Sequence, residues 1–209
     1  MFDAKKTLAK SLRNAREYFL ALNDREGVNA SCHEIQVPWR FPNNGFHKLN
    51  TDGASVDGVI AGTAGVIRDD DGKFVACYCE HIYFNGSNDA EVWAVRDGLK
   101  IVVDLGIQKL EVESDSTYTI QLCEAKINPL WRMQRLIEDI KMLKTKFTRI
   151  VFNHEYREAN GAADCLAKLA NKKVLEGKWL QIAPEVISRF LNEDISSRVT
   201  PRLVRNMVP

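Results

Sequence analysis

Lys48-Leu-Asn-Thr-Asp-Gly-Ala-Ser55 reads as a β-strand, yet Asp52 sits inside it with Gly53 beside it. Aspartate is disfavoured in strands, so this segment is both structural and out of pattern. Working outward, Thr63–Asp69 is a second strand closed by the turn Asp70-Asp71-Gly72. Lys73–Phe84, rich in Val, Cys, Tyr, Ile and Phe, is a third. Turns this short make the three an antiparallel meander. Asn85–Asn88 is then a turn, with Asn88 or Asp89 placed to cap a helix over Ala90–Leu105 that Gly106 ends. Lys109–Ser114 is a fourth strand, Asp115–Lys126 a helix ended by Asn128-Pro129, and Leu130–Thr145 another helix. Arg149–His154 is a fifth strand and Glu158–Lys172 the last helix of the unit. Helical crossovers make the later strands parallel to a neighbour. The expected fold is α/β: a mixed five-stranded sheet flanked by helices. Its Asp52 strand is central and parallel to the fourth and fifth strands.

Three segments are expected: residues 1–45, 46–171 and 172–209. In the first, Leu8, Leu12, Ala15, Phe19 and Leu22 at helical spacing give an amphipathic helix over residues 1–23. The polar stretch 24–45, with Pro38, Pro42 and Gly45, reads as a linker. After about residue 173 at most a short helix is expected, over Pro184–Asn192, where Pro184 suits a helix start. Net charge is +2, −4 and +3 over the three segments. An acidic middle is unexpected for a nucleic-acid binder unless its carboxylates hold cations. No apolar run approaches the roughly 18 residues of a membrane span, so no membrane partner is expected. The start lacks a secretory apolar core, which points to an intracellular protein, nuclear or cytoplasmic, with organellar import left open by the basic amphipathic start. The five cysteines form no C-x-x-C pair, and Cys77 and Cys79 share one face of their strand as reduced core thiols.

The chemistry lies in four acids. Asp52 interrupts a strand, and Glu91 falls on the apolar line Glu91, Ala94/Val95, Gly98, Val102. Asp115 follows the fourth strand, and Asp164 lies one turn after Asn160 in the last helix. Singly they read as a turn aspartate, a helix-dipole partner, a helix cap and a surface acid. Together, converging at one sheet end, they would repel one another and raise at least one pKa. Two divalent cations with oxygen ligands resolve that repulsion, and a pair about 4 Å apart can serve phosphoryl displacement.

At these residues the chain resembles the type 1 ribonuclease H family, in the plant branch related to reverse-transcriptase-associated ribonuclease H. The matching blocks are Lys48-Leu-Asn-Thr-Asp-Gly-Ala54, Ala64-Gly-Val-Ile-Arg-Asp69, Ala90-Glu-Val-Trp-Ala-Val-Arg-Asp-Gly-Leu99 and Val112-Glu-Ser-Asp-Ser116. The last is His154-Glu-Tyr-Arg-Glu-Ala-Asn-Gly-Ala-Ala-Asp-Cys-Leu-Ala167. They span about Phe46 to Asn171 in the family's order. The resemblance implies a ribonuclease H-like fold, with Asp52, Glu91, Asp115 and Asp164 as catalytic and metal-binding residues for two Mg²⁺, Mn²⁺ being a substitute. It implies that His154 assists proton transfer or product release and that Asn160 supports the last helix. It also implies endonucleolytic hydrolysis of the RNA strand of RNA·DNA hybrids, recognised by shape and 2′-hydroxyls.

No Trp-rich basic handle separates the third and fourth helices of the bacterial pattern; only Asn128-Pro129-Leu130-Trp131 stands there. Hybrid phosphates are therefore expected to meet Arg132, Arg135, Lys141 and Lys144 in the locally basic 130–150 region, or else that face is merely solvated. Two rivals stay open. One is a retroelement-derived ribonuclease H-like module, catalytically weak or inactive, that binds nucleic acid or a protein partner through the N-terminal helix. The other is a 3′–5′ exonuclease of the same fold, against which stands Arg157-Glu158-Ala159-Asn160 ahead of the last acid.

Overall fold

The computed structural model describes residues 32–56, 60–83, 86–196 and 200–205; the helix expected over residues 1–23 lies outside them. The strands are β1 (Cys32–Val37), β2 (His47–Val56), β3 (Ile60–Arg68), β4 (Phe74–Tyr83), β5 (Lys109–Ser114), β6 (Arg149–His154), β7 (Gly177–Leu180) and β8 (Thr200–Arg205). The helices are α1 (Ser87–Asp104), α2 (Thr117–Cys123), α3 (Gln134–Lys144), α4 (Gly161–Asn171) and α5 (Glu185–Ile195). Residues 37–200 form one compact unit. In a second unit, β1 and β8 pair as a two-stranded sheet. No described helix is long and apolar enough to cross a membrane.

The main sheet has the order β6-β5-β2-β3-β4-β7. β2, β3 and β4 form the expected antiparallel meander, and β5 and β6 run parallel with β2. The strand carrying Asp52 is interior, as expected. The strand count is corrected from five to six: β7 pairs antiparallel with β4 from Ala76↔Leu180 to Cys79↔Gly177. Only four residues long, β7 carries too little alternation for a period of two to register. The expectation of at most a short helix after residue 173 is corrected accordingly, and that helix runs over Glu185–Ile195. Within the segment read as a linker, β1 is a strand and Trp39 is buried.

Alternation on the strands sorts the core into two. Leu49, Ile67, Ala76, Tyr78, Leu110, Val112 and Phe152 face α1, α2 and α3. α1 meets them with Val92, Val95, Leu99 and Val102, a stripe at helical spacing. The opposite face carries Ala64, Val66, Cys77 and Cys79, with both thiols on one side as expected, against Ala162, Leu166, Ala167 and Ala170 of α4 and Ile187 and Leu191 of α5. Truncating a fully buried leucine such as Leu99 or Leu166 costs about 2–5 kcal/mol. Gly62 lets α4 lie directly on β3, since a Cβ there would stand 2.2 Å from the Ala167 carbonyl oxygen and 2.3 Å from Asn171 N.

Turn chemistry agrees with the sequence in kind and differs in detail. Asp69 Oδ1 accepts from the N–H groups of Asp71 and Lys73 at 3.1 and 2.8 Å, and Gly72 takes φ 77°. Gly106, at φ 72°, ends α1. The N-cap of α1 is Gly86 rather than Asn88 or Asp89, although the Asp89 carboxylate accepts from Gly86 N–H at 3.3 Å. The helix expected over Asp115–Lys126 is shortened to Thr117–Cys123, because the Ser116 hydroxyl caps it by accepting from Thr119 N–H at 3.2 Å. α3 and α4 are each preceded by a 3₁₀ turn, Trp131–Met133 and Arg157–Ala159.

A polar strap is buried on the α4 side of β2. Lys48 Nζ donates to Glu113 Oε1 and, at 2.8 Å, to the Arg40 carbonyl. Asn50 Nδ2 donates to Glu113 Oε2 at 2.9 Å, while Asn50 Oδ1 accepts from Trp39 Nε1 at 2.9 Å and from Arg68 at 3.0 Å. Arg68 also reaches Asp194 of α5 at 2.7 Å and stacks 3.7 Å over the Trp39 ring. The strap ties residues 39–40 and the end of α5 to the centre of the sheet.

Candidate active site

Parallel pairing of β2 with β5 ends at Thr51↔Ser114, so the next residues, Asp52 and Asp115, lie side by side past the paired ends. α1 returns over the same place. Gly53 makes this approach feasible: a Cβ there would lie 2.4 Å from Glu91 N and 2.5 Å from Ala90 C. Asp52, Glu91 and Asp115 thereby converge, with one carboxylate oxygen from each within 4.8 Å of the others. Asp52 and Glu91 are buried and Asp115 half-buried, on the wall of a cleft of about 540 Å³. Because Ser116 caps α2, the Asp115 carboxylate is not spent on that helix.

The electrostatics follow from this crowding. Burial, then Asp115 and Asp164, push the Asp52 carboxyl up from 3.8 to about 7, against the pull of Arg157 and Lys168. Glu91 is pushed well above the usual range by burial and by Asp52 and Asp115. It is partly relieved by hydrogen bonds from Gly53 N–H and from Ser114 Oγ, the latter at 3.2 Å. Burial raises Asp115 as well. The expected rise of at least one acid is therefore present in three.

The structure does not bring Asp164 into that trio. Its Oδ1 accepts from Arg157 and its Oδ2 from Lys168 Nζ at 2.5 Å. Arg157 and Lys168 are the residues the sequence reading missed. The i,i+4 spacing of Asp164 and Lys168 was a usable signal for the second, whereas Arg157 precedes α4 in a turn and no periodicity marks it. Asn160 is buried at the start of α4 and its Nδ2 donates to the Thr51 carbonyl at 2.8 Å, joining that helix to the residue before Asp52. His154 ends β6, exposed, with Nε2 3.2 Å from the Asp115 carbonyl oxygen and its ring edge-on to Tyr156.

The four basic residues divide. Arg132 Nε is held by both oxygens of Asp89 at 3.0 and 3.1 Å. Lys144 Nζ donates to the Cys123 carbonyl at 2.6 Å and lies 4.9 Å from the Phe152 ring centroid. Arg135 and Lys141 are exposed.

A mixed sheet with a central parallel pair, acids clustered past its ends and a helix start above them defines a ribonuclease H-like fold. The chain belongs to the family described as Reverse transcriptase-like, whose profile matches residues 50–170. It is 32% identical over 183 residues to an Arabidopsis thaliana protein named "Putative ribonuclease H protein", covering 86% of this chain and 29% of that one. The chain thus spans less than a third of that relative's length. Among solved structures it is similar to RNase H1 of the halophilic archaeon Halobacterium salinarum, with TM-score 0.58, 25% identity, and 61% of this chain and 98% of that one covered. It is also similar to LC11-RNase H1 in complex with an RNA/DNA hybrid, with TM-score 0.57, 25% identity, and 62% and 99% covered.

Proposed function

We propose that this chain hydrolyses the RNA strand of RNA·DNA hybrids at the cleft holding Asp52, Glu91 and Asp115, with Mg²⁺ as cofactor. The observation that carries this is three carboxylates within 4.8 Å of one another, meeting no ion pair among the described residues. Such a set suits a hard divalent cation, which prefers oxygen ligands. Asp52, Glu91 and Asp115 would hold Mg²⁺, with Mn²⁺ as a substitute, and a bound pair would supply water activation and charge stabilisation at the leaving oxygen.

The chain's own residues provide the rest. Asp52, on the interior strand β2, is the proposed shared ligand. Glu91 is fixed in direction by Ser114 and by Gly53 N–H. Asn160 holds the start of α4, and so Asp164, to β2. His154, exposed beside Asp115, would carry a proton to or from the reacting group; its Nε2, 3.2 Å from the Asp115 carbonyl oxygen, supports this role. Arg135 and Lys141 are free to meet hybrid phosphates, and Arg132 contributes only if it leaves Asp89. The likeness to a ribonuclease H structure bound to an RNA/DNA hybrid supports this substrate class. The interaction-module alternative is less supported, because crowding the half-buried Asp115 against the buried Asp52 and Glu91 is destabilising without a cation.

The test is a gel assay of purified protein on labelled RNA·DNA, RNA·RNA and DNA·DNA duplexes, with Mg²⁺ and with chelator. Mg²⁺-dependent loss of the RNA strand from the hybrid alone is expected. Equal cleavage of all three, or cleavage in chelator, refutes the proposal.

A further inference from the structure

Asp164 differs from Asp52, Glu91 and Asp115 in having a cation on each carboxylate oxygen. Oδ1 accepts from Arg157 Nε at 3.1 Å and from an Arg157 terminal nitrogen, and Oδ2 from Lys168 Nζ. Arg157 lies in the turn before α4 and Lys168 one helical turn beyond Asp164, and each cation takes a different carboxylate oxygen. Their side chains are 58% and 52% exposed, that of Asp164 only 16%. The cations can swing into solvent, whereas the carboxylate is fixed by its helix. Arg157 and Lys168 also line the cleft that holds Asp52, Glu91 and Asp115.

We propose that Arg157, assisted by Lys168, is a latch on Asp164. It occupies this carboxylate in the free protein, so that a divalent cation gains Asp164 as a ligand only by displacing it. The inference rests on the metal-dependent reading above and ranks its acids. The trio takes the first ion, and Asp164 serves a second, weaker step whose affinity Arg157 sets. Arg157 is thus a positioning residue, acting through Asp164. Breaking a largely exposed ion pair of this kind corresponds to a change on the order of fivefold in an equilibrium constant.

The test is a Mn²⁺ titration of the full chain without nucleic acid, following free Mn²⁺ by electron paramagnetic resonance. Wild type is expected to show a tight and a weak class of site. Arg157→Gln should tighten the weak class about fivefold and leave the tight one in place, with Arg157→Lys intermediate. Lys172→Gln removes a charge from the same cleft wall without touching an Asp164 partner, and should leave the weak class unchanged. An unchanged weak class in Arg157→Gln overturns the latch, as does equal tightening in Lys172→Gln, which would mark a general charge effect. Asp52→Asn separates the two levels. If it removes the tight class while Arg157→Gln changes nothing, the latch alone falls. If Mn²⁺ binding is the same in Asp52→Asn as in wild type, the metal reading falls and the latch with it.

Discussion

Asp52→Asn should make the metal-free protein more stable, and more so at pH 8 than at pH 5. The Asp52 carboxyl is raised from 3.8 to about 7, first by burial and then by Asp115 and Asp164. Between about pH 4 and 7 the folded protein therefore keeps a proton that the unfolded chain has released, and stability falls as pH rises through that window. At about 1.4 kcal/mol per pH unit, the rise from 3.8 to about 7 amounts to about 4 kcal/mol against the ionised folded state. Asparagine still loses hydration on burial, and Glu91 and Asp115 still repel each other, so about half, or about 2 kcal/mol, should be recovered. For a chain of this size that is a rise in Tm of about 4–8 °C. Thermal melts of both proteins at several pH values in chelator read this directly. The gain should be full above pH 7 and shrink towards pH 4. With excess Mg²⁺ the order should reverse, because only wild type is stabilised by binding the ion. Destabilisation at pH 8 in chelator, or a gain independent of pH, would refute the reasoning.

Gly53→Ala should lose Mg²⁺-dependent cleavage and about 3 kcal/mol of stability, measurable by urea unfolding, because its Cβ would stand 2.4 Å from Glu91 N and force α1 away. Asn160→Ala should destabilise by about 1–2 kcal/mol and lower kcat more than it raises KM, since the lost hydrogen bond to Thr51 positions α4 rather than substrate. Arg135→Ala with Lys141→Ala should weaken hybrid binding and flatten its salt dependence in a filter-binding series. Lys144→Ala, in contrast, should chiefly lower stability by about 1 kcal/mol, since its ammonium is tied to the Cys123 carbonyl.

Much of the fold is legible in the sequence wherever periodicity and punctuation agree. β5 and β6 fall over Lys109–Ser114 and Arg149–His154, as expected, because alternating Leu110 and Val112 in one and the run Ile150-Val151-Phe152 in the other are bounded by turns. β7 escapes because Gly177–Leu180 is fixed by its pairing with β4 rather than by its own pattern. The convergence of Asp52, Glu91 and Asp115 is legible because Asp52 and Glu91 break a local pattern and Asp115 follows a strand parallel to the one carrying Asp52. What is not legible is the state of Asp164. Its position follows from helix spacing, but its two ion pairs depend on where the turn before α4 sends Arg157. Likewise Arg132, Arg135, Lys141 and Lys144 look alike in sequence. Only packing shows that Arg132 and Lys144 are held internally.

The strongest argument for an external cation comes from comparing two sets of buried and half-buried acids packed about the same sheet. Glu113 is met by Lys48 and Asn50, Glu111 by Asn43 with Lys48 at 3.9 Å, and Asp194 by Arg68. Each of those carboxylates has a cation or amide in contact, as burial requires. A few residues along the same two strands, Asp52 and Asp115 have no ion-pair partner among the described residues, and Glu91 has only a hydroxyl and an amide N–H. Had these acids been structural, the basic residues that compensate Glu113 and Asp194 show how such a compensation is made here. The two nearest candidates, Arg157 and Lys168, are turned to Asp164 instead. A sequence that neutralises one set of acids and leaves the adjacent set crowded, open to a cleft and held by Gly53 and Ser114 has the uncompensated charge on which the proposed cation binding rests.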